Sequence, residues 1–224
     1  MRRAAVIFKK YGVHTLSHGQ IVAMVYQLLS AGNAALAGGL HKSAQKFKPF
    51  THAADESKGS CTLYFSSFMP EITGTFLAGA GRYQAGGLML GNCLYKIIDS
   101  VSIPDVSHLP GKMTIKTLSP IVLSRCAENR KKEYILYPKN EKVWLDALAR
   151  NLAKRVLAFY GKDAQVEIRA VTRGKAALVE YQQTKIPARH MTLKITGGPE
   201  VLEMAIYGGL GERTGSGFGM VWPV

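Results

Sequence analysis

The sequence predicts an α+β protein made of two βαββαβ units in tandem, the ferredoxin-like (RRM-like) arrangement, with a glycine-rich loop near the C-terminus. Strand-like and helix-like segments run β, α, β, β, α, β and then repeat. A stretch rich in Pro, Ser, His and Gly, from Pro104 to Gly111, separates the two runs and sets a boundary between residues 1–108 and 109–224. Six of the twelve residues from Gly208 to Gly219 are glycine.

In the first run, Arg3 to Lys9 is short and β-branched enough for a strand. Ser17 followed by Gln20 reads as a capping box, and Ile21, Met24, Val25, Leu28 and Leu29 then recur at helical spacing until Ala31-Gly32-Asn33. A second short helix, Ala34 to Leu40, delivers His41 at its end, ahead of the basic loop Lys42, Lys46, Lys48 and the break at Pro49. Cys61 to Phe68 reads as a strand with a short one before it, Pro70 to Ala80 as a helix with Pro in its first turn, and Asn92 to Ile103 as a strand.

The second run opens with strand-like Lys112 to Leu118 and Ile121 to Ser124, with Tyr134 to Tyr137 as a returning arm. Glu141 to Tyr160 is the clearest helix, with Val143, Trp144, Ala147, Leu148, Leu152 and Val156 on one face and Gly161 as its cap. Gln165 to Val171 and Arg189 to Ile195 alternate like strands, Pro199 to Tyr207 is a short helix, and Phe218 to Trp222 closes the unit as a strand.

With 47% hydrophobic and 20% charged residues, the 224-residue chain is globular rather than disordered, collagen-like or disulfide-built. Its net charge of +14 favours a polyanionic partner. Residues 111–224 carry +9 of it and residues 1–110 carry +5. Cys61, Cys93 and Cys126 are odd in number and more than thirty residues apart, which suits neither a zinc cluster nor a disulfide set. No metal or cofactor is expected: His14 and His18 lack the intervening Glu of H-E-x-x-H, and the glycine loop fits neither a Walker nor a dinucleotide fingerprint. Ala4 to Phe8 is too short for a signal peptide, so a cytoplasmic location is expected. No Asp, Glu, Lys or Arg occurs from Tyr11 to His41, but Gln27, Ser30 and Asn33 would lie unsatisfied in a bilayer and Gly32, Gly38 and Gly39 would break a span, so no membrane association is expected.

The glycine loop is the most informative stretch. Repeated glycines permit positive φ and close approach of backbone N–H groups to an anion, and Arg213, Thr214 and Ser216 can add donors. A long turn from helix to strand explains the same composition.

The phrase Gly209-Leu210-Gly211-Glu212-Arg213-x-x-x-Gly217-Phe218-Gly219-Met220 resembles the C-terminal signature of the CRISPR-associated endoribonucleases of the RAMP superfamily that process precursor CRISPR RNA, the Cas six family. Thr117-Leu118-Ser119-Pro120-Ile121 is similar to that family's phrase at the start of its second domain, and Leu40-His41 with Lys48-Pro49-Phe50-Thr51 to its catalytic segment. The resemblance extends over essentially the whole chain.

It implies metal-independent cleavage within CRISPR repeats. The ribose 2′-hydroxyl attacks its own 3′-phosphate, leaving a 2′,3′-cyclic phosphate or 3′-phosphate and a 5′-hydroxyl. Such chemistry calls for a proton carrier, a phenol and a cation. His41 is implied as the proton carrier, since an imidazole can take or give a proton near neutrality. Tyr26 matches the family's tyrosine on the first helix, and Lys48 its lysine, with Lys46 the substitute if the loop register slips. Repeat RNA, precursor and mature, is the implied partner. Its contacts are expected from Lys46, Arg125, Arg130, Lys131, Arg169, Gly209, Gly211, Arg213, Ser216 and Gly217. His52, His108 and His190 read as structural. Other Cas proteins of an effector complex are further possible partners, and both a monomer and a homodimer are compatible with the sequence. The alternative function is a non-cleaving RNA-binding RAMP subunit of such a complex.

Overall fold

Two antiparallel sheets, each covered by helices, make up a mixed α/β fold, described by the computed structural model for residues 1–13, 15–42, 47–126, 132–139 and 141–224. In the first half, β1 (Arg3–Tyr11) leads into α1 (His18–Gly32) and α2 (Ala34–Lys42), followed by β2 (Phe50–Glu56), β3 (Ser60–Ser67), α3 (Pro70–Tyr83), β4 (Leu88–Leu90) and β5 (Cys93–Ile103). The sheet order is β2-β3-β1-β5-β4. The capping box forms as predicted, Gln20 N donating to Ser17 Oγ and Ser17 N to Gln20 Oε1. Met24, Val25, Leu28 and Leu29 then bury the inner face of α1. They join Ala4, Val6 and Phe8 of β1 and Cys61, Leu63 and Phe65 of β3 in one core. At Gly32 and Gly79 the backbones of α1 and α3 touch, with no room for a side chain. Gly38 and Gly39 lie within α2 and do not break it, because Leu36 N donates to Asn33 Oδ1 and the helix starts from its own cap.

The second half comprises β6 (Lys112–Thr117), β7 (Ser124–Cys126), β8 (Lys132–Tyr134), α4 (Glu141–Tyr160), β9 (Glu167–Ala170), β10 (Lys175–Tyr181), β11 (Thr184–His190), β12 (Thr192–Thr196), α5 (Pro199–Gly208) and β13 (Val221–Pro223). Its sheet order is β13-β6-β12-β9, with β7-β8 and β10-β11 standing apart as two-stranded ribbons. A second core of Trp144, Leu148, Leu152 and Val156 from α4 and Leu193, Ile195 and Leu202 fills this half.

Three expectations are corrected. Arg189 to Ile195 is not one strand: the chain changes sheets at Met191, and the alternation merely continues across the switch. Ile121 to Ser124 is reduced to a single bridge, Ile121 to Arg189, before β7 begins. Val143, placed on the inner face of α4, is exposed, because the buried stripe runs at Trp144, Leu148, Leu152 and Val156. No helix among the described residues is long and apolar enough to cross a membrane.

The halves are joined along one seam. Thr51 Oγ1 on β2 donates to Phe218 O at 3.1 Å, and the Arg3 guanidinium lies 4.5 Å from the centre of the Trp222 ring.

Candidate active site

The end of α2 gathers residues distant in sequence. Lys48, coming from the loop after the helix, turns its ammonium back to donate to Leu40 O, one of the carbonyls a helix C-terminus leaves without an internal partner. That cap brings Lys48 beside the residue preceding His41. The His41 ring meets Tyr26 edge to face, centroids 5.1 Å apart, and Tyr26 meets Phe50 at 6.0 Å. Tyr26 is thus held between an exposed imidazole and the buried start of β2. Burial, followed by the nearby Tyr181, pushes the Tyr26 phenol above its ordinary pKa, so it persists as a hydrogen-bond donor. Burial moves the Lys48 ammonium in the opposite direction, down from its ordinary value.

The glycine loop closes over this corner. A Cβ at Gly215 would lie 2.6 Å from Lys48 Cγ, and a Cβ at Gly217, where φ is 79°, 2.7 Å from His52 Cε1. The glycines are demanded by packing. Gly209, Gly211 and Gly217 are buried, and the N–H groups of Gly209, Leu210, Glu212, Gly217 and Gly219 donate to protein carbonyls. These three glycines therefore face the protein, and Arg213, in the left-handed region at φ 58°, is the loop's exposed charge. Ser216 O is bonded to His18 Nε2 at 2.5 Å.

Several residues on which the loop rests were not legible as site residues. His52, read as structural, is fully buried against Gly217; burial, followed by the neighbouring His18, pushes its pKa down to about 3. His18 packs between Tyr181 and Phe218 at 5.5 and 4.7 Å. Tyr181 comes from the second half, at the tip of the β10-β11 ribbon, where Gln182 and Gln183 both take positive φ. Arg155 of α4 is 1% exposed and donates through Nη1 to Gly209 O and through Nη2 to Gly208 O, each at 2.5 Å. It anchors the first two residues of the loop.

Of the expected RNA-contacting residues, Arg125 sits on β7 in an exposed pair with Glu133 and faces the groove beside the loop. Arg169 lies elsewhere, on β9 opposite Lys194 and paired with Glu167 at 2.6 Å. Lys46, Arg130 and Lys131 lie outside the described residues.

Comparison with known proteins places these features in a family. Over 219 residues, 90% of this chain and 83% of the relative, the sequence is 28% identical to the CRISPR-associated endoribonuclease Cas6 1 of Methanocaldococcus jannaschii. The fold matches a solved CRISPR associated protein Cas6 with a TM-score of 0.78 at 24% identity, over 100% of this chain and 99% of that one. It also matches the product of a Cas6-related gene from Pyrococcus furiosus with a TM-score of 0.80 at 20% identity, over 100% and 98%. Residues 105–222, from the start of the second half through the glycine loop to β13, match the family model described as CRISPR associated protein Cas6, C-terminal. That match spans more than half of the 224 residues, and the chain therefore belongs to the Cas6 family.

Proposed function

We propose that this protein is an endoribonuclease that cuts precursor CRISPR RNA within its repeats, without a metal ion, from a site made of Tyr26, His41 and Lys48. The observation that carries the reading is the convergence at the end of α2: the Tyr26 and His41 rings in contact at 5.1 Å, with the Lys48 ammonium on the carbonyl of the residue before His41. Membership of the Cas6 family and the likeness to an endoribonuclease support it.

In this reading the nucleophile belongs to the substrate. The 2′-hydroxyl of the ribose 5′ to the cut attacks the adjacent phosphorus, the P–O5′ bond breaks, and the products are a 2′,3′-cyclic phosphate and a 5′-hydroxyl. One proton leaves O2′ and one arrives at O5′. His41, exposed at the helix end, carries the proton, which is ordinarily worth about 10²–10⁴ in rate. Tyr26, kept as a phenol, donates to a phosphate oxygen and fixes the ribose-phosphate in line. Lys48 faces the charge that builds on the phosphorane, and an ammonium held in place costs no rearrangement when the charge appears. The two halves, 1–108 and 109–224, act as ferredoxin-like units, the first supplying these three residues and the second the loop that holds Lys48. All three groups come from one chain, so in this reading the cut itself needs no other Cas protein.

Incubating a repeat-containing RNA with excess EDTA tests the reading. Continued cutting, with a cyclic or 3′-phosphate on one product and a 5′-hydroxyl on the other, is expected. Cutting that stops and returns only with a divalent cation would overturn the metal-free assignment.

A further inference from the structure

The proposed site draws on two separate segments. Tyr26 stands on α1, whereas the stem of Lys48 rests against Gly215 of the glycine loop. Their relative position is therefore set by whatever registers that loop on α1. The loop's tight turn, Thr214–Ser216, is closed on itself: Ser216 N donates to Arg213 O at 2.8 Å and Gly217 N to Thr214 O at 3.0 Å. The residues flanking it, Arg213 and Gly217, are both left-handed, at φ 58° and 79°. A turn so closed moves as one piece, and a hold on one of its residues places the others.

That hold comes from His18, the first residue of α1. A carbonyl oxygen only accepts, so His18 Nε2 carries the hydrogen and donates it to Ser216 O at 2.5 Å. The ring is fixed from two further sides, by Phe218 at 4.7 Å and by Tyr181 at the ribbon tip at 5.5 Å. Phe218 is fully buried, and Thr51 Oγ1 donates to its carbonyl. Ser216, Phe218 and Tyr181 all belong to the second half, so His18 is a point at which the second half grips the helix of the first. Gly217 leaves little slack there: a Cβ on it would stand 3.1 Å from His18 Cε1.

These contacts close a circuit. Tyr26 lies about two turns, or about 12 Å, further along the same helix, and its ring meets Phe50 at 6.0 Å. A Cβ on Gly215 would stand 3.4 Å from Phe50 Cζ as well as 2.6 Å from Lys48 Cγ. The turn is thus tied directly to the start of α1 at Ser216 and rests, through Phe50, on Tyr26. Without the tie at His18 the turn keeps one support of the two and can pivot on it, and the Lys48 stem follows Gly215.

We propose that His18 is a positioning residue for RNA scission: through the Ser216 carbonyl it registers the glycine loop on the helix that carries Tyr26, and so sets where Lys48 stands. The proposal rests on the endoribonuclease reading and adds to it a residue that touches no reacting atom yet governs the rate. A histidine serving only as packing is replaceable by another ring, whereas this role needs the N–H.

The test compares three substitutions in the full chain, each checked for folding by its midpoint in urea. His18→Gln keeps an N–H donor near the place of Nε2, His18→Phe keeps a ring and loses the N–H, and His18→Ala loses both without introducing a clash. Single-turnover cleavage of a repeat RNA at saturating protein should slow by about 10-fold in His18→Phe and His18→Ala with Kd within about threefold of wild type, and stay within about threefold of the wild-type rate in His18→Gln. His18→Ala is then combined with Lys48→Ala. Because His18 acts through Lys48, it should slow that background by no more than about twofold instead of about 10-fold. Wild-type rates for His18→Phe and His18→Ala would overturn the proposal, as would His18→Gln as slow as His18→Ala, or losses that multiply in the double variant. Each of these leaves the endoribonuclease reading standing, since the wild-type protein still cuts. A wild-type protein that leaves the repeat RNA uncut would overturn that reading and the proposal with it.

Discussion

Gly215 lies directly on the stem of Lys48: a methyl group there would sit 2.6 Å from Lys48 Cγ and 2.8 Å from its Cβ. The glycine loop of the second half thereby sets where the cation of the first half can be. Gly215→Ala should displace Lys48 and lower the single-turnover cleavage rate by about 10-fold, while RNA affinity changes by no more than about threefold, because in the proposed mechanism the displaced group acts on the transition state. Rapid-quench cleavage alongside equilibrium binding checks this. A wild-type rate would show that Lys48 needs no such support.

Gly217 is constrained by space and by backbone together. Its φ of 79° is costly for any residue with a Cβ, and the added methyl would meet His52 Cε1 at 2.7 Å and His18 Cε1 at 3.1 Å. Gly217→Ala should destabilise the protein by about 2–4 kcal/mol, read as a lower midpoint in urea at an unchanged slope.

Among the described residues Arg155 is a buried cation with no carboxylate partner, and its pKa is pushed down to about 10 by burial. Replacing it with Met removes the cost of burying charge but strips Gly208 O and Gly209 O of their donor, and an orphaned buried carbonyl costs about 1–3 kcal/mol. Arg155→Met should therefore destabilise by about 2–4 kcal/mol, with Arg155→Lys intermediate. A Met variant as stable as the wild type in urea would show that the loop keeps its origin without the guanidinium.

How much of this was legible in the sequence depended on whether the pattern was local. The capping box at Ser17 and Gln20 and the stripe Met24, Val25, Leu28, Leu29 are short-range signals, and both describe α1 correctly. Tyr26, His41 and Lys48 lie close enough in sequence to be named from a resemblance, and the structure gathers them. Arg155 was out of reach because an arginine in an amphipathic helix reads as a surface cation; only the carbonyls of Gly208 and Gly209, more than fifty residues on, give it a reason to be inside. Tyr181 was hidden by its strand: the alternation of Lys175–Tyr181 is weak because this ribbon stands outside the main sheet. His52 looked like any strand histidine until the loop was laid over it.

The buried histidine also fixes a pH dependence. His52 is held neutral in the fold, titrating near 3, against about 6.5 in the unfolded chain. Above pH 6.5 both states are neutral there and His52 adds no slope. As the pH falls from 6.5 towards 3 the unfolded chain takes up the proton and the folded one does not, so stability falls, by up to about 1.4 kcal/mol per pH unit. His18 and His190, also lowered by burial, act in the same direction. Urea denaturation at pH 7.5, 6 and 5 should show this loss, and His52→Gln should make it shallower. Parallel curves for the two proteins would contradict the assignment.

The central claim is that His41 moves the proton during strand scission, and single-turnover cleavage of a repeat RNA by His41→Ala at saturating protein measures it most directly. The account predicts a rate lower by about 10²–10⁴ with Kd within about threefold of wild type. Cleavage by the variant at the wild-type rate would contradict it.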